Sequence, residues 1–262
     1  MKILARITFD GSKFSGWQYQ PGVPTVQGTL TEAASRLFGC ACRVTGCSRT
    51  DAGVHAASFC ATFEPETESR IPVDRIPDAI NALLPSGVAV LDAVPVPDGF
   101  HPRYGAKSKT YKYLISRSAQ RQPLLDGRVY VPGAPVGDDA LAAMDAAART
   151  LEGKHDFASY MASGSKVTDT MRNMVHASVT SDRGIAVVTL TADGFLYNMV
   201  RIITGTLLEA GLRGDSPETV AKITAAASRE AAGRTLPPYG LYLWSVDYGE
   251  QFFPDASGPF DR

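Results

Sequence analysis

From Phe195 to Ala210 the chain is apolar nearly all round, so this stretch is expected to be a buried helix and not an amphipathic surface one. A helix of that kind needs a full core around it. With 262 residues the chain can supply one, near the upper limit for a single uninterrupted core. One elaborate domain or two fused smaller ones both satisfy that length. No apolar run approaches the ~20 residues that span a bilayer. The opening residues, Met1 to Asp10, interrupt their apolar positions with charge. They read as a first strand and not as a signal peptide, so a cytoplasmic protein is expected.

The remaining periodicities alternate between two types. Ile3, Ala5, Ile7 and Phe9 alternate as a strand, and a loop rich in Gly, Ser and Gln follows from Gly11 to Gly22. Thr25 is a plausible N-cap for a helix carrying Val26, Leu30, Ala33, Leu37 and Phe38, which Gly39 ends. Strands are expected near Cys42–Cys47, Ser58–Phe63 and Val88–Val96, with a short helix ending at Leu84. In the second half Thr110–Ser116 is a strand and Asp138–Leu151 a helix. Asn173–Thr180 and Ile185–Ala192 form a hairpin, Ser216-Pro217 starts a helix, and Leu241–Tyr248 is a last strand. The two halves mix strands and helices in related order without sequence repetition. The expected fold is α+β: two ferredoxin-like halves forming a continuous, mostly antiparallel sheet with helices on one face. The halves divide near Gly105, as residues 1–105 and 106–262, with a weakly ordered tail from about Gly249.

Cys40, Cys42, Cys47 and Cys60 lack the paired arms of a zinc site, and a disulfide framework is out of place in so large a chain. They are expected as reduced, mostly buried thiols. His55, His101, His155 and His176 form no ligand motif, so no metal is implied. The net charge of −1 argues against nucleic acid, but its distribution does not. Between Asp98 and Asp126 there is no acid, while Arg103, Lys107, Lys109, Lys112, Arg117 and Arg121 are basic. Such a run is a solvated face or a binding surface. Here it surrounds Tyr111 and Tyr113, and basic residues interleaved with aromatics suit phosphate and base contacts.

The densest segment runs Gly46-Cys47-Ser48-Arg49-Thr50-Asp51-Ala52-Gly53-Val54-His55-Ala56. An Arg two residues before an Asp, followed by small residues, is ill suited to a core. Asp51 is placed on a turn between two strands, where Gly and Ala permit close backbone approach. Taken alone, Arg-Thr-Asp also fits a turn whose Asp bonds local backbone. The full string resembles the active-site motif of the tRNA pseudouridine synthase A family. Further matches follow in that family's order: Phe9-Asp10-Gly11, Phe14-Ser15-Gly16-Trp17-Gln18 and Thr25-Val26-Gln27, then Phe100-His101-Pro102-Arg103. Lys109-Thr110-Tyr111-Lys112-Tyr113, Phe195 to Arg201 and Gly240 to Leu243 complete the resemblance, which spans roughly residues 3 to 248. Phe14 stands where the family frequently has Tyr.

The resemblance implies an isomerase that converts uridine to pseudouridine at positions 38, 39 and 40 of the tRNA anticodon stem-loop. It implies a homodimer, with tRNA as partner and no cofactor. The reaction breaks the C1′–N1 bond, rotates the uracil and rejoins it through C5, so no atoms are gained. It needs an ionised carboxylate in a partly dry pocket, which by resemblance is Asp51, acting as nucleophile or as the base at C2′. Burial opposes ionisation, so a cation is required nearby. Arg201 is the candidate, since a charge amid Phe195–Ala210 is costly unless paired; the alternative is an Arg snorkelling to solvent. Tyr111 stacks on the extruded uracil or belongs to the sheet core. Arg49 fills the gap left by the flipped nucleotide, holds its phosphate, or makes a structural ion pair. Leu241 and Leu243 wall the base pocket or pack in the core.

Three rival readings remain: a pseudouridine synthase of another family acting on other RNA, a non-catalytic RNA-binding module, and a hydrolase. The module has no need of Arg49-Thr50-Asp51. A hydrolase needs a second group to handle water, and the strand from Ser58 carries Glu64 away from Asp51.

Overall fold

Strand propensity and helix capping set most of the element boundaries. The computed structural model of the chain describes residues 1–165, 167–249, 252 and 253. The chain forms two compact units, residues 1–107 with those from Tyr242 onward, and residues 108–241. The tail expected after Gly249 lies, apart from Phe252 and Phe253, outside the described residues.

In the first unit β1 (Lys2–Phe9), α1 (Val26–Phe38), β2 (Cys42–Gly46), β3 (His55–Pro65), α2 (Ile76–Asn81) and β4 (Val88–Val96) follow in order. The sheet runs β4-β1-β3-β2 with every neighbour antiparallel, which is the ferredoxin-like arrangement. Thr25 caps α1 by accepting from the Gly28 N–H at 3.2 Å, and Gly39 closes it in the left-handed region at φ 67°. The helix buries Val26, Leu30, Ala33 and Ala34.

The long strand β3 has β1 along one edge and shares the other between two partners. Its C-terminal part pairs with β2, from Gly46↔Ala61 to Cys42↔Pro65. At its start His55 and Ala56 pair in parallel with Tyr242 and Leu243 of β9 (Leu241–Asp247). The segment that joins β2 to β3, residues 47–54, therefore leaves the sheet where one neighbour of β3 ends and the other begins. The β1–β3 register also shifts between Ile7 and Phe9, a bulge at the same end of the strand pair.

In the second unit β5 (Ser108–Ser116) precedes α3 (Asp138–Arg149), then come β6 (Gly153–Asp156), β7 (Met171–Asp182) and β8 (Ile185–Ala192). The antiparallel order is β5-β8-β7-β6, and α4 (Met199–Arg213) and α5 (Pro217–Ala225) follow. Both units are α+β with mostly antiparallel pairing, the class read from the sequence.

The apolar stretch from Phe195 becomes helical only at Met199, because Asn198 sits in the left-handed region at φ 60°. Beyond it α4 is buried on all sides, as its sequence requires. Ile202, Ile203, Leu207 and Leu208 are fully buried, and truncating any one to Ala is expected to cost roughly 2–5 kcal/mol. Its buried hydroxyls are satisfied within the helix: Thr204 and Thr206 donate to the Val200 and Ile202 carbonyls at 2.8 and 2.9 Å. Glycines mark where neighbours press closest. A Cβ on Gly205 would stand 2.0 Å from the Arg234 carbonyl oxygen, and one on Gly211 2.5 Å from the Met144 side chain of α3. None of the four cysteines is in a disulfide, and Cys42, Cys47 and Cys60 are buried.

Candidate active site

Gly46 ends β2 for a steric reason. A Cβ there would lie 2.5 Å from the Trp17 indole, which stacks on Phe59 of β3 at 4.2 Å between ring centroids. The Cys47 N–H extends the ladder by one bond to the Cys60 carbonyl at 2.9 Å, and the chain then turns out. The Thr50 carbonyl accepts from the Trp17 N–H at 3.0 Å, and the Val54 N–H closes a turn on the Asp51 carbonyl at 3.2 Å. Gly53 takes φ 81° to complete that turn. The loop around Asp51 is thus clamped by residues 11–17, the Gly- and Ser-rich loop of the sequence.

That clamp is tied in turn to α1. Val26 and Gln27 donate their N–H groups to the Gly16 and Trp17 carbonyls at 3.2 and 3.0 Å. The Gln27 amide donates to the Val44 carbonyl at 2.9 Å and accepts from the Tyr19 N–H at 2.9 Å. Helix α1, strand β2 and both loops are consequently one hydrogen-bonded assembly.

His55 ends the segment, buried to 2% exposure. Its Nδ1 accepts from the Gly11 N–H at 3.1 Å, and its ring stacks on Tyr242 of β9 at 4.7 Å. The Asp10 carboxylate also approaches Nδ1, at 3.3 Å. Nδ1 accepts from Gly11 in the neutral ring and pairs with Asp10 when the ring is protonated. Asp10 takes donors from the Ser12 N–H and hydroxyl at 3.1 and 2.6 Å.

Within this frame Asp51 is half-buried and Arg49 exposed. Thr50, between them, is 8% exposed and its Oγ1 has no hydrogen-bond partner among the described residues. Leu243, expected on a pocket wall or in the core, is fully buried beside Ala56 in the β3–β9 register.

The other expected site residues lie in the second unit. Tyr111 on β5 is buried, with Phe195 edge-on at 4.9 Å. Tyr113, two residues on, is fully buried and donates its hydroxyl to the Pro237 carbonyl at 2.7 Å. Burial pushes that phenol well above its ordinary range, which fits the packing role expected of it. Arg201 is half-buried near the start of α4. Its Nε donates to the Leu236 carbonyl at 2.7 Å and its Nη1 to the Asn198 Oδ1 at 2.6 Å. The guanidinium is therefore oriented by its own unit instead of reaching for solvent on a loose stem. Leu241 is buried at the start of β9.

The basic run is less uniform than its sequence. Arg117 pairs with Asp138 at 2.5 Å, and Arg121 with Asp126, whose carboxyl that hydrogen bond holds below the usual range. The sequence reading missed Gln27 and Asn198 as fixing residues. Its only signal for Asn198 was an Asn interrupting an apolar helix, a residue type that tolerates the left-handed region.

The family model for tRNA pseudouridine synthase matches residues 5–105 and 147–249 of this chain. A tRNA pseudouridine synthase A from Caldicellulosiruptor bescii is 41% identical over 246 residues, covering 94% of this chain and 99% of the relative. One from Moorella thermoacetica is 44% identical over 244 residues, covering 92% and 97%. One from Bacillus subtilis is 41% identical over 250 residues, covering 95% and 99%.

Proposed function

The chain belongs to the tRNA pseudouridine synthase family and isomerises uridine in tRNA to pseudouridine, and we propose that Asp51 is its catalytic carboxylate. The uridines are those at positions 38, 39 and 40 of the anticodon stem-loop. The observation that carries the assignment of Asp51 is the clamp on its loop, bonded to Trp17 and closed by Val54, with Asp51 half-buried. Holding a reacting group in one geometry removes the entropic part of the barrier before chemistry begins.

The isomerisation breaks C1′–N1 and forms C1′–C5. N1 gains a proton and C5 loses one, so the balance closes without a cofactor. Asp51 acts as nucleophile or takes the C2′ proton, and Arg201 keeps it ionised. Tyr111 stacks on the extruded uracil with its hydroxyl toward the departing C5 proton, and Leu241 and Leu243 bound the base. Arg49, exposed two residues before Asp51, holds a phosphate or fills the gap left by the flipped nucleotide. On the same reading the enzyme is a cytoplasmic homodimer. Among the described residues no helix is long and apolar enough to cross a membrane.

Incubation with unmodified tRNA followed by carbodiimide adduct mapping tests the reading. Primer-extension stops are expected at positions 38 to 40 only when the protein is present. Stops elsewhere would reassign the substrate site, and none at all would remove the activity.

A further inference from the structure

We propose that the turn carrying His101, Arg103 and Tyr104 is a stacking platform for an unpaired RNA nucleotide. The turn is stiff below and bare above. Its base is pinned by the Phe100 N–H to the Pro97 carbonyl at 2.9 Å and the Gly105 N–H to the His101 carbonyl at 2.8 Å. Buried Tyr248 donates its hydroxyl to the Pro102 carbonyl at 2.6 Å and meets Phe100 edge-on at 5.4 Å. On this foundation Tyr104 is 78% exposed. Its ring lies 4.5 Å from the His101 imidazole, and the Arg103 guanidinium 5.9 Å from its centroid.

Tyr104 thus holds a large aromatic ring in water on a rigid turn, with an imidazole and a guanidinium beside it. It has the chemistry of a surface waiting for a flat apolar partner. The neighbours specify which kind. The Arg103 backbone N–H donates to His101 Nδ1 at 3.1 Å, so in the neutral ring Nε2 carries the proton and is a donor. No acid lies between Asp98 and Asp126 in sequence. Aromatic face, cation and ring donor together suit a nucleobase whose face stacks and whose phosphate is met by charge. A base inside a duplex has both faces covered by its stacked neighbours, so the partner is an unpaired nucleotide, as an anticodon loop supplies.

The inference rests on the enzyme's binding RNA, and its test separates the two. Wild type, Tyr104→Ala and Tyr104→Phe are titrated with an RNA hairpin bearing an open loop, and with the same stem as a blunt duplex. Tyr104→Ala is expected to weaken hairpin binding by about five- to a hundredfold, the range for losing one base stack. Tyr104→Phe is expected to bind like wild type, and the duplex to bind all three alike. In Tyr104→Trp the indole fluorescence is expected to quench on adding the hairpin and not the duplex. Equal hairpin affinity for Tyr104→Ala and wild type overturns the proposal while leaving RNA binding intact. A Tyr104→Ala shift in the oligomeric state by sedimentation overturns it in favour of a contact with a second copy. Failure of wild type to bind either RNA overturns it too, and the tRNA assay above then decides the function separately.

Discussion

Gly16 faces the backbone of Thr50: a Cβ on Gly16 would stand 2.8 Å from the Thr50 carbonyl oxygen, one residue before Asp51. The conformation at Gly16, φ 90°, is also one that other residues adopt only with strain. Gly16→Ala is expected to lose roughly 1–3 kcal/mol from strain alone. The displaced Asp51 loop should lower kcat further. Gly22→Ala is the control, since Gly22 has φ 79° with nothing within 4 Å of its added Cβ. It should lower Tm through strain and leave kcat unchanged. Equal kcat in the two variants would mean that the clamp does not position the carboxylate.

In the proposed mechanism Arg201 sets the pH dependence. A cation beside a carboxylate favours the ionised form, so its removal moves protonation of that carboxylate to higher pH. Activity that needs the ionised group is then lost earlier as pH falls. Arg201→Met should shift the acidic limb of kcat/KM upward, and Arg201→Lys should restore part of that shift. The variant also loses bonds to Leu236 and Asn198, so a fall in Tm is expected besides. A lowered Tm with an unmoved acidic limb would leave Arg201 as a purely structural residue.

Two cations of the basic run have carboxylate partners in the fold. Arg117 and Arg121 face Asp138 and Asp126. Exposed pairs of this kind are worth little in stability, but they leave little net charge to meet a phosphate. Replacing both arginines with Gln should change the slope of log affinity against log salt by less than about one unit. Arg103→Gln with Lys107→Gln should reduce it by up to about two, near one for each lost phosphate contact. A larger effect from the first pair would place the RNA on the far end of the run.

The elements with a local cause were legible in the sequence. Thr25 and Gly39 bound α1 by capping chemistry, and the alternation of Leu241 and Leu243 with Tyr242 and Trp244 marked a strand whose buried side is the leucines. What that alternation does not encode is its partner: nothing in residues 241–247 says that they run parallel to His55 and Ala56. The start of α4 was misjudged because apolar composition outweighs one Asn in any periodicity measure, while its φ of 60° decides where the helix begins. The placement of Asp51 on a turn between two strands was legible through the string around it. The clamp was not, because Gly46 and Trp17 meet only after β2 and the opening loop have folded together. The counter-ions Asp126 and Asp138 escaped for a different reason: they lie at the edge of the acid-free window and beyond it.

The most direct measurement is turnover by Asp51→Asn on tRNA carrying 5-tritiated uridine, since the C5 hydrogen must leave whenever pseudouridine forms. The substitution keeps the shape and removes the charge. No tritium release above background is expected, with tRNA affinity held within about tenfold of wild type, or ~1.4 kcal/mol. Multiple-turnover release by this variant would show that another group carries the chemistry.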